Sequence, residues 1–295
     1  MRLSEGSLPG PSYPAPGKLN LFLHVVGRRA DGYHLLQTIF RFVEGGDMLR
    51  FRVRRDGVIR RTKPIPGVEP EADLALRAAR VLQQEAGSSL GADIELAKRL
   101  PIGGGMGGGS SDAATTLLVL NRLWQTGLTR ERLMKVGLSL GADVPVFIYG
   151  RSCFAEGIGD RFQAIELPPA WYVILAPRAA VSTREIFAAA KLTQVAKPIK
   201  LAAFSAASGL FERLVETGND LEAAAVKRYP EIGRHLAWLR QFGAARMTGS
   251  GSSVFCPFTS RPAAENALRS LPQGMQGWIA AGVDRHPLYQ LAEDN

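Results

Sequence analysis

Cysteine is scarce. Cys153 and Cys256 are the only two in 295 residues, too few and too far apart for a disulfide framework or the paired spacing of a structural metal site. That usage suits a reducing compartment. Apolar runs are short too: none reaches the roughly 18 residues of a membrane span, and no secretory leader is recognisable. The expectation is a soluble, cytoplasmic protein with no membrane partner. Base-stacking aromatics do not come in runs, and no internal repeat is evident. The formal net charge of +9 comes from scattered residues rather than one stripe. The densest basic cluster, Arg50–Arg61, alternates with Phe51, Val53 and Val58 and reads as an exposed strand or hairpin face. Nucleic acid is therefore not an expected partner, and the charge suits an anionic small molecule. The first 13 residues, rich in Gly, Pro and Ser, read as a loose tail.

What the chain does have is glycine in one place: Pro101-Ile102-Gly103-Gly104-Gly105-Met106-Gly107-Gly108-Gly109-Ser110-Ser111-Asp112. Glycine loses more backbone entropy on folding than any other residue, so six together imply backbone N–H groups brought close to something. At a helix start that something is most often an anion. Ala92–Leu100 reads as a strand before the loop. A helix follows from about Ala113 to Trp124, with the two serines as good N-caps. A Walker A loop needs Gly-Lys-Ser/Thr, and no lysine follows Gly109. A dinucleotide fingerprint is formally present as Gly103-x-Gly105-x-x-Gly108, but the βαβ context it needs is missing. A plain flexible linker is at odds with the flanking strand and helix. The loop reads as a phosphate cradle.

Length suggests two domains, 1–160 and 161–295. In the first, Lys18–Val26, Gln37–Val43 and Leu49–Val53 read as strands. Asp73–Ala86 and Thr129–Leu140 read as helices, and Val144–Tyr149 and Ser152–Phe154 as strands. In the second, Trp171–Ala176, Ala245–Thr248, Ser253–Pro257 and Gly277–Gly282 read as strands. Helices are expected from Thr183 to about Leu192, at Ala202–Glu216, Leu221–Val226 and Pro230–Gln241, and at Arg261–Ser270. With the helical stretch counted as one crossover, this is the β-α-β-β-α-β order of ferredoxin-like folds. The fold class is α+β.

Four further segments carry chemistry, each with a plainer alternative. Asp143 stands in Gly141-Ala142-Asp143-Val144-Pro145-Val146-Phe147, between a helix end and an apolar strand, where a carboxylate can equally be a cap. Lys18 and Asn20 open an apolar strand, where a lysine can be an edge charge. Asp31-Gly32-Tyr33-His34 carries a hairpin signal. Thr248-Gly249-Ser250-Gly251-Ser252 is a tight turn between strands.

Taken together, these motifs resemble the GHMP kinase superfamily, in its branch acting on a cytidine-diphosphate-linked methylerythritol. The resemblance spans nearly the whole chain. The loop matches Pro-x-Gly-Gly-Gly-x-Gly-Gly-Gly-Ser-Ser-(Asn/Asp), more specific than the general superfamily loop. The resemblance implies a first domain like the second domain of ribosomal protein S5 and a ferredoxin-like second domain. It also implies a reaction: transfer of the ATP γ-phosphoryl group to a substrate hydroxyl, giving the 2-phosphate and ADP, a step of non-mevalonate isoprenoid synthesis. Asp143 would be the general base and Lys18 its partner. Pro101, Gly103, Gly104, Gly105, Met106, Gly107, Gly108, Gly109, Ser110 and Ser111 would cradle ATP, with the Ser110 or Ser111 hydroxyl toward Mg²⁺. Asn20, Tyr33, His34, Phe187, Gly249 and Gly251 would join Asp143 in holding the substrate, the aromatic groups and His34 taking the cytosine. A monomer or weak homodimer is expected. Departures from the pattern are Gly17 where alanine is usual, Glu71-Ala72-Asp73-Leu74 where an Asn-rich Asn-x-Leu is common near the adenine pocket, and Asp112 where asparagine is also seen. The rivals are a homoserine- or mevalonate-type kinase of the same superfamily, an RNA-binding protein and a dinucleotide oxidoreductase.

Overall fold

The computed structural model describes residues 8–190, 198–201 and 217–292. The expected helix at Ala202–Glu216 lies outside these residues. The amphipathic and alternating patterns resolve into one mixed sheet of ten strands, with helices packed on it.

Strand β1 (Tyr13–Arg28) and strand β2 (His34–Arg54) form a long antiparallel hairpin. The expected break between Val43 and Leu49 is a bulge within β2 instead. Gly45 and Gly46 take positive φ, and the register slips between Pro16 and Gly17. Strands β3 (Ile59–Arg61) and β4 (Gly91–Ala97) extend the sheet on one side of β2. Strands β5 (Cys153–Glu156) and β6 (Arg161–Ala164) add on another part of it.

Helices α1 (Leu74–Ala86), α2 (Gly108–Leu123), α3 (Arg130–Leu140) and α4 (Val144–Tyr149) join this sheet in one apolar core. Helix α2 is its centre, buried from Ser111 to Asn121. Helix α1 is capped by Asp73, whose carboxylate accepts from Ala75 N–H at 2.9 Å and pairs with Arg61 at 3.0 Å.

Segment Val144–Tyr149 is a helix, not a strand. Six apolar residues have too little length to reveal a period. Pro145 belongs in a helix's first turn, where its missing N–H costs nothing.

The second half realises the expected ferredoxin-like order. Strands β7 (Trp171–Leu175), β8 (Arg246–Met247), β9 (Val254–Phe258) and β10 (Gly277–Val283) lie as β10-β7-β9-β8, all antiparallel. Helices α5 (Thr183–Ala189), α6 (Glu222–Arg228), α7 (Pro230–Leu239) and α8 (Arg261–Arg269) accompany it. Alternation along β7 buries Val173 and Leu175 in the core these helices share, and Tyr172 and Ile174 in a second core with Leu19, Phe22 and Ile39 of the β1–β2 hairpin. The two sheets fuse where Gly282 and Val283 pair with Val43 and Phe42. The first unit's strands run on to Ala164, and the chain returns to it after β10. Leu288, Leu291 and Ala292 pack into the first core.

That return carries a titratable group. Burial against Phe42 and Phe147, with the Arg130 charge nearby, pushes the His286 imidazole from 6.5 down to about 3. Between those values the unfolded chain binds one more proton than the folded one, so stability falls as pH drops through the window. The unfolding free energy of the wild type should therefore fall more steeply below pH 6.5 than that of His286→Gln. The difference should approach about 1.4 kcal/mol per pH unit in urea titrations. Parallel curves would refute the assignment.

Candidate active site

The glycine loop follows strand β4 and runs into α2. Gly107, at φ 71°, is the residue that caps the helix, with no side-chain hydrogen bond. The serines expected as caps therefore sit inside the first turn. Ser110 lines the cleft, while Ser111 is fully buried with its hydroxyl unpartnered. Two glycines are enforced by close approach. A methyl group on Gly105 would stand 2.3 Å from the Thr248 carbonyl oxygen and 2.8 Å from that of Gly251. One on Gly107 would stand 2.9 Å from the Phe147 ring and 3.3 Å from Lys18 Cε. Met106 turns its side chain into the core against Gly17 and meets the site only through its backbone, whose carbonyl accepts from Lys18 N–H at 2.9 Å.

Lys18 is buried at the start of β1. Its ammonium donates to Asn20 Oδ1 at 2.6 Å and to the Gly105 carbonyl at 3.0 Å, and it lies 3.4 Å from Asp143 Oδ2. Asp143 is the residue preceding α4, half-exposed and facing the cleft. Asn20 is held in turn. Its Nδ2 donates to Thr38 Oγ1 at 3.0 Å, and its backbone N–H donates to Thr248 Oγ1 at 3.0 Å. Thr38 carries no sequence signal, and Thr248 only that of the tight turn it opens, because the partner of each hydroxyl lies elsewhere in the chain.

The cleft, of about 1230 Å³, brings Lys18, Asn20, Asp143, Gly249 and Gly251 together with the loop. Of the loop residues expected to hold ATP, Pro101, Gly103, Gly104, Gly105, Gly107, Gly108, Gly109 and Ser110 line it, while Met106 and Ser111 lie behind. At its other end stand Tyr33, His34 and Phe187. Tyr33 is exposed, and His34 stacks on Phe187 with ring centroids 5.0 Å apart. Burial, and then the Arg28 guanidinium, hold the His34 imidazole below its ordinary value, so it is neutral at pH 7. Thr183 and Ser250 share a hydroxyl hydrogen bond of 2.7 Å across the cleft wall.

Asp112 does not face an unshielded phosphate. Lys98 bridges it, at 2.8 Å, to Asp47, whose other oxygen accepts from the N–H groups of Arg99 and Leu100. Burial, with Asp47 beside it, pushes the Asp112 carboxyl up to about 8 against the pull of Lys98. Among the described residues no cluster of His, Cys, Asp and Glu could by itself hold a metal ion. A hard cation here would rely on nucleotide oxygens and a serine hydroxyl such as that of Ser110, which Mg²⁺ accepts readily.

A glycine cradle at a helix start, an adjacent Lys–Asp pair and an S5-like unit fused to a ferredoxin-like one define a small-molecule kinase of the GHMP type. Residues 73–151 match the family described as GHMP kinases N terminal domain, and residues 200–277 that described as GHMP kinases C terminal. The chain is 56% identical over 275 residues to a 4-diphosphocytidyl-2-C-methyl-D-erythritol kinase of Aromatoleum aromaticum, covering 93% of this chain and 94% of the relative. It is 55% identical to that of Nitrosospira multiformis, covering 96% and 94%. A crystal structure of 4-(cytidine 5'-diphospho)-2C-methyl-D-erythritol kinase superposes with a TM-score of 0.79 at 32% identity, over 92% of this chain and 99% of that one. Methanococcus jannaschii mevalonate kinase, at 15% identity and a TM-score of 0.64, shares the fold. The chain belongs to the 4-diphosphocytidyl-2-C-methyl-D-erythritol kinase family. No described helix is long and apolar enough to cross a membrane.

The loop's close approach to the 248–251 turn gives a test. Gly105→Ala places a Cβ against backbone oxygen, so the loop must shift. ATP affinity of the folded protein, measured by calorimetry, should fall at least about tenfold, and the unfolding midpoint should fall with it because alanine is strained at this positive φ. Wild-type affinity would show that the loop tolerates the displacement.

Proposed function

We propose that the chain transfers the γ-phosphoryl group of ATP to a hydroxyl of 4-diphosphocytidyl-2-C-methyl-D-erythritol, giving the 2-phosphate and ADP. The observation that carries this reading is one cleft holding the Lys18–Asp143 pair beside the glycine loop, with the His34–Phe187 stack at its far end. Phosphoryl transfer demands positioning and charge neutralisation more than covalent chemistry.

The loop's N–H groups and the start of α2 hold the ATP phosphates. Asp143 accepts the proton of the attacking hydroxyl. Lys18 keeps that carboxylate placed and faces the charge that builds on the transferring group. Asn20 orients the hydroxyl or the diphosphate. Tyr33, His34 and Phe187 take the cytosine: aromatic faces stack on the ring, and the neutral imidazole offers one donor and one acceptor to its edge. Gly249 and Gly251 let the third turn approach the substrate. The Ser110 hydroxyl, with the nucleotide's phosphate oxygens, would hold a Mg²⁺ ion, which would supply neutralisation of phosphate charge. Residues 1–160 carry the glycine loop, the Lys18–Asp143 pair and Asn20, Tyr33 and His34, and residues 161–295 add Phe187, Gly249 and Gly251 on the substrate side.

Asp143→Ala should lower turnover by about two to four orders of magnitude, in a coupled ADP-release assay with the cytidine-linked substrate, while ATP still binds. An unchanged rate would remove Asp143 from the chemistry. His34→Ala should raise the KM for that substrate by a larger factor than it lowers kcat, because the contact is remote from the reacting atoms. A loss in kcat alone would contradict the placement. Turnover of homoserine or mevalonate in its stead would reassign the substrate.

A further inference from the structure

Segment Gly218-Asn219-Asp220-Leu221-Glu222 has no part in the chemistry so far, yet it ties two walls of the site together. Its backbone runs beside β1: Leu23 N–H donates to the Gly218 carbonyl at 3.0 Å, and Asp220 N–H to the Leu23 carbonyl at 2.9 Å. The Asp220 carboxylate accepts from Val25 N–H at 2.7 Å. Strand β1 is the strand that presents Lys18 and Asn20.

The Asn219 side chain reaches the other way. It is buried, and its Nδ2 donates to the Met247 carbonyl at 2.9 Å and to the Gly249 carbonyl at 2.7 Å. Its Oδ1 accepts from Leu221 N–H at 3.0 Å. Met247 ends β8, the edge strand of its sheet among the described residues, so no further described strand serves its outward carbonyl. Asn219 supplies that partner and extends the support one step into the turn. The turn then bears on the reacting groups. Thr248 Oγ1 accepts from Asn20 N–H, and a methyl group on Gly249 would stand 3.4 Å from both Asn20 Oδ1 and Lys18 Nζ.

We propose that Asn219 is a positioning residue for phosphoryl transfer. Its two amide protons fix the 247–251 turn, and the turn fixes Asn20 and Lys18 against the glycine loop. This rests on the reading that Lys18 and Asp143 carry the transfer.

Asn219→Asp separates positioning from mere folding. It keeps the shape and the acceptor for Leu221 N–H, but loses both donors and sets a carboxylate against two carbonyls. Asn219→Ala removes all three bonds. Leu236→Val trims a buried side chain in the helix-covered core of the second unit and serves as the stability control. Each protein is assayed for ADP release with ATP and the cytidine-linked substrate, and scaled to its folded fraction by circular dichroism. We expect kcat of Asn219→Asp to fall about ten- to hundred-fold, with the KM for ATP changed far less. Asn219→Ala should fall comparably and Leu236→Val should keep the wild-type kcat. Wild-type kcat in folded Asn219→Asp would overturn the proposal. If Asn219→Asp does not fold, Asn219→Ala decides: a kcat equal to that of Leu236→Val overturns it. A wild-type enzyme inactive on the cytidine-linked substrate refutes the functional reading itself, a different outcome from equal rates in wild type and variant.

Discussion

The Lys18 ammonium is the group on which the site's geometry turns. It sits almost wholly out of water, and a buried ammonium costs several kcal/mol unless its protons meet oxygen. Its three oxygen neighbours come from three separate segments: Asn20 from its own strand, the Gly105 carbonyl from the loop, Asp143 from the start of α4. Each segment would leave a charge unmet by moving away. The desolvation penalty of one cation thus holds the glycine loop, the candidate base and strand β1 in a single register. Removing the cation would also leave the Asp143 carboxylate without its ion-pair partner in the cleft.

The parts of this arrangement legible in the sequence are those with strong local chemistry. The glycine run stands out because so many flexible residues in one place need a reason, and Lys18 because it interrupts apolar residues. The ferredoxin-like order followed from strand-like runs alternating with amphipathic helices, and the sheet bears it out. Helix α4 was not legible, since a six-residue apolar run looks alike as buried strand and buried helix. The serine caps failed because a left-handed glycine, which needs no side chain, begins α2. Thr38 and Asn219 gave no signal, and Thr248 only that of a tight turn, because their meaning lies in a partner reached through the fold. Thr248 meets Asn20 across 228 positions of chain. Asp112 belongs to the same class, its lysine being explicable only once Asp47 is seen on the far side of it.

The basic excess also reads differently in three dimensions. Arg52, Arg54 and Arg60, part of the densest basic stretch, converge on the buried carboxylate of Asp93. Four side chains from three strands knit that edge of the sheet, the buried carboxylate holding guanidinium groups that stay partly in solvent. Arg41, buried where the two sheets fuse, is likewise matched by Asp284 at 2.6 Å.

The return of the chain after β10 bears on how the protein is made. Leu288, Leu291 and Ala292 fill the core shared by the first sheet and α2, and the His286 backbone N–H donates to the Gly150 carbonyl at the end of α4. During synthesis the earlier unit emerges first, but its core stays open until the whole ferredoxin-like unit has been translated. The order of the genetic message and the order of structural completion are therefore reversed at this point. Helix α4, which Asp143 precedes, gains its final support from residues that leave the ribosome after all others described here, so the candidate site is completed only at the end of synthesis.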